Sequence, residues 1–272
     1  MKPQSVEDAR LELPAETCLM SQAHSIDISE DAGVRTLHFG SDWIQGAMRI
    51  ARPWNLELAY TREMMACLLL RQASGWPRNA LLIGLGAASL PKFIYRHLPD
   101  CRMTVVEIQP GVVAAARQFF KLPEDPERMQ IIIDDGANFI AETTERYDLI
   151  MVDGFDPNAR AGRLDTDPFY AACRERLSDS GLLVCNLLGR NRGFLASAER
   201  IRKAFDDRAI VFPSLDSGNA IMFAVSGEAV AVSLDDMRER AVILKKETGL
   251  DLLPTISRLQ LTKALPNNQL EC

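Results

Sequence analysis

Two carboxylates, Asp153 and Asp156, stand three residues apart in Asp153-Gly154-Phe155-Asp156-Pro157, directly after the run Asp148-Leu149-Ile150-Met151-Val152. A run this apolar reads as a central strand. Asp153 then leaves its carboxyl end, which is where ligands bind in an open α/β sheet. Two acids at that spacing can grip an ammonium group from two sides, and one of them can take the proton an amine must lose before it acts as a nucleophile. The same residues are also explained by an Asp-x-x-Asp-Pro turn whose side chains bond backbone N–H groups, with no chemistry at all.

Other strand ends deliver residues to the same edge. The run Ala80-Leu81-Leu82-Ile83-Gly84-Leu85-Gly86 reads as a buried strand that stops on two glycines before a helical pattern. Gly84 and Gly86 let the backbone approach a ligand closely, with N–H groups at the helix start. About 20 residues further on, Glu107 ends the next strand, where a carboxylate accepts both hydroxyls of a ribose. The third strand leads into Asp134-Asp135-Gly136. Either acid there serves equally well as a helix N-cap.

The elements that must position these residues follow a clear order. Ser25 to Phe39 alternates around a Glu-Asp-Ala-Gly turn and predicts a β-hairpin. A third short strand follows over 43–50, and Pro53 closes this small N-terminal β region. Leu58–Gln72 has helical spacing and predicts one linking helix. Beyond it, strands at 80–83, 103–108, 129–133, 147–152 and 181–187 alternate with helices at 89–98, 111–120, 137–142, 168–177 and 194–205. Such β-α units demand a mostly parallel sheet covered on both faces. Two last strands, 209–212 and 220–225, have no helix between them and pair antiparallel. The expected division is an N-terminal β region over 1–57, a catalytic domain with its linking helix over 58–227, and a C-terminal helix and tail over 228–272.

Composition narrows the function classes. With 47% hydrophobic residues among 272, the chain can bury one large core. Its net charge of -6, with no basic run interleaved with aromatics, argues against nucleic acid as a partner and suits a cationic substrate. The six cysteines, Cys18, Cys67, Cys101, Cys173, Cys185 and Cys272, form no C-x-x-C pair, and the three histidines, His24, His38 and His97, are isolated. No metal site is expected. The start of the chain lacks an apolar signal segment, and no stretch approaches a membrane span, so a cytoplasmic protein is expected.

Taken together, these residues resemble the spermidine and spermine synthases, the polyamine aminopropyltransferases. The resemblance rests on Ile83-Gly84-Leu85-Gly86, Val106-Glu107-Ile108, Asp134-Asp135-Gly136-Ala137, Tyr147 through Pro157 and Asp167-Pro168-Phe169-Tyr170, and covers roughly 25–226. Five α/β units and a terminal hairpin likewise resemble the class I methyltransferase-like, Rossmann-like sheet of seven strands. The resemblance implies transfer of an aminopropyl group from decarboxylated S-adenosylmethionine to an amine such as putrescine, with no prosthetic group. It implies that Gly84, Gly86, Glu107 and Ile108 hold the donor's nucleoside, with Glu107 on the ribose, and Asp135 and Gly136 on the adenine. Asp153 would accept the proton, Asp156, Tyr60 and Gln45 would meet the amine substrate, and the chain would form a homodimer. The sequence departs from the family pattern at Ala87, where an acid usually binds the donor's amino group, and at Leu215, where a Tyr usually contacts the polyamine. Two other readings use the same scaffold: a methyltransferase that takes S-adenosylmethionine itself, and a non-catalytic nucleoside-binding relative.

Overall fold

The computed structural model describes residues 25–40, 43–71, 73–156, 158, 160–188, 193–213, 218–261 and 269–272. Pro157 and Leu215, as well as Cys18 and His24, lie outside the described residues.

Strands β1 (Asp27–Asp31), β2 (Val34–His38) and β3 (Ile44–Arg49) form an antiparallel sheet in chain order. The linking segment is two short helices, α1 (Ala59–Met64) and α2 (Cys67–Leu70), where the spacing predicts one. The reason is local. Met64, Met65, Ala66, Cys67 and Leu69 are all buried, so the middle of the segment is apolar on every side. Its backbone tightens to bury them: the N–H groups of Ala66, Leu68 and Leu69 bond three residues back, at 3.0, 3.2 and 2.9 Å.

The alternating part follows as β4 (Asn79–Ile83), α3 (Ser89–His97), β5 (Arg102–Glu107), α4 (Pro110–Phe119), β6 (Met129–Ile133), α5 (Gly136–Glu142) and β7 (Tyr147–Val152). A 3-10 turn at Gly162–Leu164 precedes α6 (Asp167–Glu175), β8 (Leu177–Leu188), α7 (Phe194–Ala204), β9 (Ala209–Pro213) and β10 (Asn219–Val225). The seven strands lie in the order β6-β5-β4-β7-β8-β10-β9. Strands β4 to β8 pair parallel, and β10 runs antiparallel to both β8 and β9, as the missing helix between the last two strands requires. β8 begins at Leu177, four residues before the expected start, because its polar opening Ser178-Asp179-Ser180 still belongs to the strand.

Alternation along the strands divides the core. Leu82 faces one cluster together with Phe93 of α3 and Val112 of α4, whereas Leu81 and Ile83 face the other, with Ile140, Phe169 and Ile201 of α5, α6 and α7. The chain leaves β4 toward β5 and β6 on one side and returns to β7 on the other. The switch point therefore lies just beyond Ile83 and Val152, and the cleft opens there. The C-terminal part forms β11 (Ala231–Ser233), α8 (Leu234–Thr248), α9 (Leu253–Leu261) and β12 (Gln269–Glu271), with β12 returning antiparallel to β11. Among the described residues, no helix is long and apolar enough to cross a membrane.

Candidate active site

Past the end of β4 the backbone of Gly84 takes φ +97°, and a Cβ there would lie 2.2 Å from the carbonyl oxygen of Asp153. Only glycine lets the two strand ends close on each other, and Asp153 N–H bonds Ile83 O at 2.9 Å across that contact. The next N–H, of Leu85, is not left for a ligand: it donates to Glu107 Oε2 at 3.0 Å, while Gln109 N–H donates to Oε1 at 2.9 Å. Two backbone donors thus aim the Glu107 carboxylate. Burial pushes its carboxyl above the ordinary range, and these bonds pull it back.

A cavity of about 270 Å³ opens over these groups. Gly84, Gly86, Glu107, Ile108, Asp135 and Gly136 all line it, so the structure brings together the six residues expected to hold a nucleoside. Ile108 is half exposed and gives the cavity an apolar side. Asp135 also caps α5, its Oδ1 accepting from Ala137 N at 2.7 Å and Asn138 N at 3.4 Å. Its Oδ2 accepts from Arg163 Nη1 at 2.9 Å, and Arg163 Nη2 donates to Asn138 Oδ1 at 2.8 Å. The helix-cap role and the place in the cavity wall belong to the same side chain.

A second cavity, of about 430 Å³, adjoins the first. Gln45, Asp153 and Phe155 line both. Tyr60 lines the second, and its hydroxyl faces the Asp153 carboxylate. Asp153 keeps part of its surface open but sits deep in the fold. Desolvation pushes its carboxyl above the ordinary range, against the opposing pull of hydrogen bonds from Asn186 and Tyr60. The turn reading of the two acids holds for Asp156 alone: its Oδ1 accepts from the backbone of Asn158 and Arg160, both at 2.8 Å. Asp156 lines the first cavity, and Tyr60 the second.

Two residues of the second cavity escape the sequence reading. Asn186 Nδ2 donates to Asp153 Oδ1 at 2.8 Å, and Asn219 Nδ2 donates to Asn186 Oδ1 at 2.8 Å. The signal was present in Gly181-Leu182-Leu183-Val184-Cys185-Asn186-Leu187, where one amide interrupts a buried strand and must find partners. The whole arrangement can hold two molecules whose reacting ends meet at one carboxylate with raised proton affinity. That suits removal of a proton from a nucleophile arriving from the second cavity.

Residues 57–197 match the family model of the spermine/spermidine synthase domain. The chain is 35% identical over 243 residues to a polyamine aminopropyltransferase of Neisseria meningitidis serogroup A, covering 89% of this chain and 91% of that one. Among solved structures it is similar to human methyltransferase-like protein 13 in complex with SAH, with 26% identity, a TM-score of 0.63, and 71% of this chain and 93% of that chain covered. It shares the fold of a spermidine synthase in complex with the transition state analogue AdoDATO, with 22% identity, a TM-score of 0.62, and coverage of 90% and 86%.

Proposed function

Because the chain belongs to the spermine/spermidine synthase family, its reaction class is aminopropyl transfer, and we propose that it moves this group from decarboxylated S-adenosylmethionine to a small amine such as putrescine. The observation that carries this reading is the meeting of two cavities at Asp153. The first fits an adenosyl group: Glu107, aimed by two backbone donors, accepts the ribose hydroxyls, and Ile108, Asp135 and Gly136 border the adenine. The second admits the amine past Tyr60 and Gln45. Asp156, tied into its own turn, shapes the wall on the donor's side.

The donor's sulfonium makes the adjoining methylene carbon electrophilic. Asp153 takes a proton from the acceptor ammonium, freeing the nitrogen lone pair. That nitrogen attacks the methylene, the C–N bond forms, and the C–S pair returns to sulfur, releasing neutral methylthioadenosine. The proton passes from Asp153 to solvent. The protein's work is alignment along the attack line and one proton transfer. Incubating the protein with putrescine and either donor, with products read by mass spectrometry, tests the proposal. Methylthioadenosine and spermidine are expected from the decarboxylated donor. S-adenosylhomocysteine from the ordinary donor, with no aminopropyl product from the other, would overturn it.

The reading extends to a cytoplasmic homodimer that acts on a small cationic substrate without nucleic acid or membrane. Trp43 and Ile44, exposed beside the N-terminal sheet, support a contact there, which light scattering of the purified chain tests. The start of the family match at residue 57 supports a border near 58, with the C-terminal part from 228 as an addition to the catalytic domain.

A further inference from the structure

Asn219 and Asn186 lie on neighbouring strands. In the antiparallel register of β10 on β8, Asn219 pairs with Leu188 and Ile221 with Asn186, so the two amides are diagonal neighbours on one face of the sheet. Both border the second cavity, as does Leu188. An ionised Asp153 can only accept, so Asn186 must turn its NH2 toward it. The carbonyl of Asn186 then points away and needs a donor, and Asn219 Nδ2 supplies it at 2.8 Å. Each amide has one orientation that satisfies its neighbour. If Asn219 is removed, only the Asp153 carboxylate still orients Asn186, and once Asp153 is protonated the amide is free to turn its carbonyl oxygen toward the carboxyl O–H and favour the neutral acid.

We propose that Asn219 is a positioning residue for the transfer reaction: through the amide of Asn186 it holds a hydrogen-bond donor on Asp153. The proposal rests on the reading of Asp153 as the proton acceptor. It differs from a purely structural role, in which the Asn pair only satisfies two amides at a strand end. Tyr60 of α1 is the titratable group that meets Asp153 directly. Glu57 and Arg62 line the same cavity, Asp156 follows in the same turn, and Glu107 of β5 lines the adjoining cavity. All of these are unchanged by a substitution at 219.

The test is the pH profile of kcat/KM for Asn219→Leu and for the smaller Asn219→Ala, which keeps the measurement possible if the first does not fold. A hydrogen bond to a charged group changes an equilibrium by about tenfold, so the acidic limb is expected to move up by about one pH unit. An accompanying fall of roughly tenfold in kcat is expected, with KM for the donor within about twofold of wild type. Because Asn219 acts through Asn186, the Asn186→Leu/Asn219→Leu pair is expected to match Asn186→Leu alone. A limb left at the wild-type position in both single variants, or additive losses in the double, would overturn the proposal. Asp153→Asn separates the two ideas. If it abolishes turnover while the limb ignores residue 219, the positioning role alone falls; if it keeps wild-type turnover and limb, the proton-acceptor reading falls with it.

Discussion

Asp153 sits deep in the fold, yet the role proposed for it requires it to be ionised before it can take a proton. Desolvation is the first cause of its raised proton affinity, and the donors from Asn186 and Tyr60 only partly offset it. This has a consequence for stability as well as for rate. A carboxyl whose folded-state pKa is raised favours folding at low pH, and that contribution is lost as pH rises through the raised value. Asp153→Asn is therefore expected to reduce turnover by roughly 10²–10⁴, the range of a lost general base, while raising the melting temperature at pH 7.5. The difference in melting temperature from wild type should shrink toward zero at about pH 4, near the ordinary carboxylate pKa. Scanning calorimetry at the two pH values checks this, and a variant less stable than wild type at pH 7.5 contradicts it. Glu107 differs because both its oxygens already accept from backbone N–H groups. Glu107→Gln turns an NH2 toward Leu85 N–H or Gln109 N–H and removes an acceptor that the proposed function assigns to the ribose. KM for the donor is expected to rise about 10- to 100-fold, the worth of a hydrogen bond to a charged group, with a smaller change in kcat. Steady-state kinetics with the donor varied would show it, and an unchanged KM would remove Glu107 from the nucleoside site.

Among the elements, β3 and the glycine loop depend on each other. A Cβ on Gly46 would lie 2.6 Å from Ala87 Cβ and 2.7 Å from Ala87 N, and the Gln45 carbonyl lies 3.1 Å from where a Cβ of Gly86 would be. Gly46→Ala must push the strand off the loop. An overpacking cost of about 1–3 kcal/mol is expected in urea unfolding, together with a raised KM for the donor, because Gln45 lines the cavity proposed to hold it. Wild-type stability and KM in this variant would show that the contact yields freely. Gly46 carries no mark in the sequence, since its partner Ala87 is remote along the chain. The strand ends were legible because each apolar run stops on Gly or an acid, and these residues converge on one edge once the strands are parallel. The division of the linking segment into α1 and α2 was not legible, since helical spacing is the same whether or not the turn tightens at Ala66. The partnership of Asn186 with Asn219 depends on the β8–β10 register, which no local pattern encodes. The placement of Asp156 likewise depends on whether its side chain turns to the loop backbone or to the cavity, a choice that Asp-x-x-Asp-Pro leaves open.

At the scale of the whole molecule, the C-terminal part, whose helix is legible in the sequence but whose role is not, holds α1, which borders the second cavity, and α2 beside it. Arg240 of α8 donates to Leu69 O of α2 at 2.5 Å, Arg71 donates to Glu228 O at 2.8 Å, and Arg258 of α9 pairs with Glu63 of α1. Glu63 is nearly fully buried, and Arg258 also reaches Thr255 Oγ1 at 3.3 Å. Removing one partner of a buried pair destabilises by up to about 3–5 kcal/mol, whereas removing both is often neutral. Tyr60 lies on the same short helix as Glu63, so a shift of α1 carries the tyrosine away from Asp153. Arg258→Met is accordingly expected to lose up to about 3–5 kcal/mol in urea unfolding and to lower kcat under conditions where the variant remains folded. Glu63→Leu combined with Arg258→Met should regain most of the stability and, with α1 reseated on an apolar contact, most of the turnover. If the double variant recovers stability but not kcat, the pair orients Tyr60 by its charge rather than by holding the helix. If the single variant loses neither, the C-terminal part is an attachment that the active site does not need.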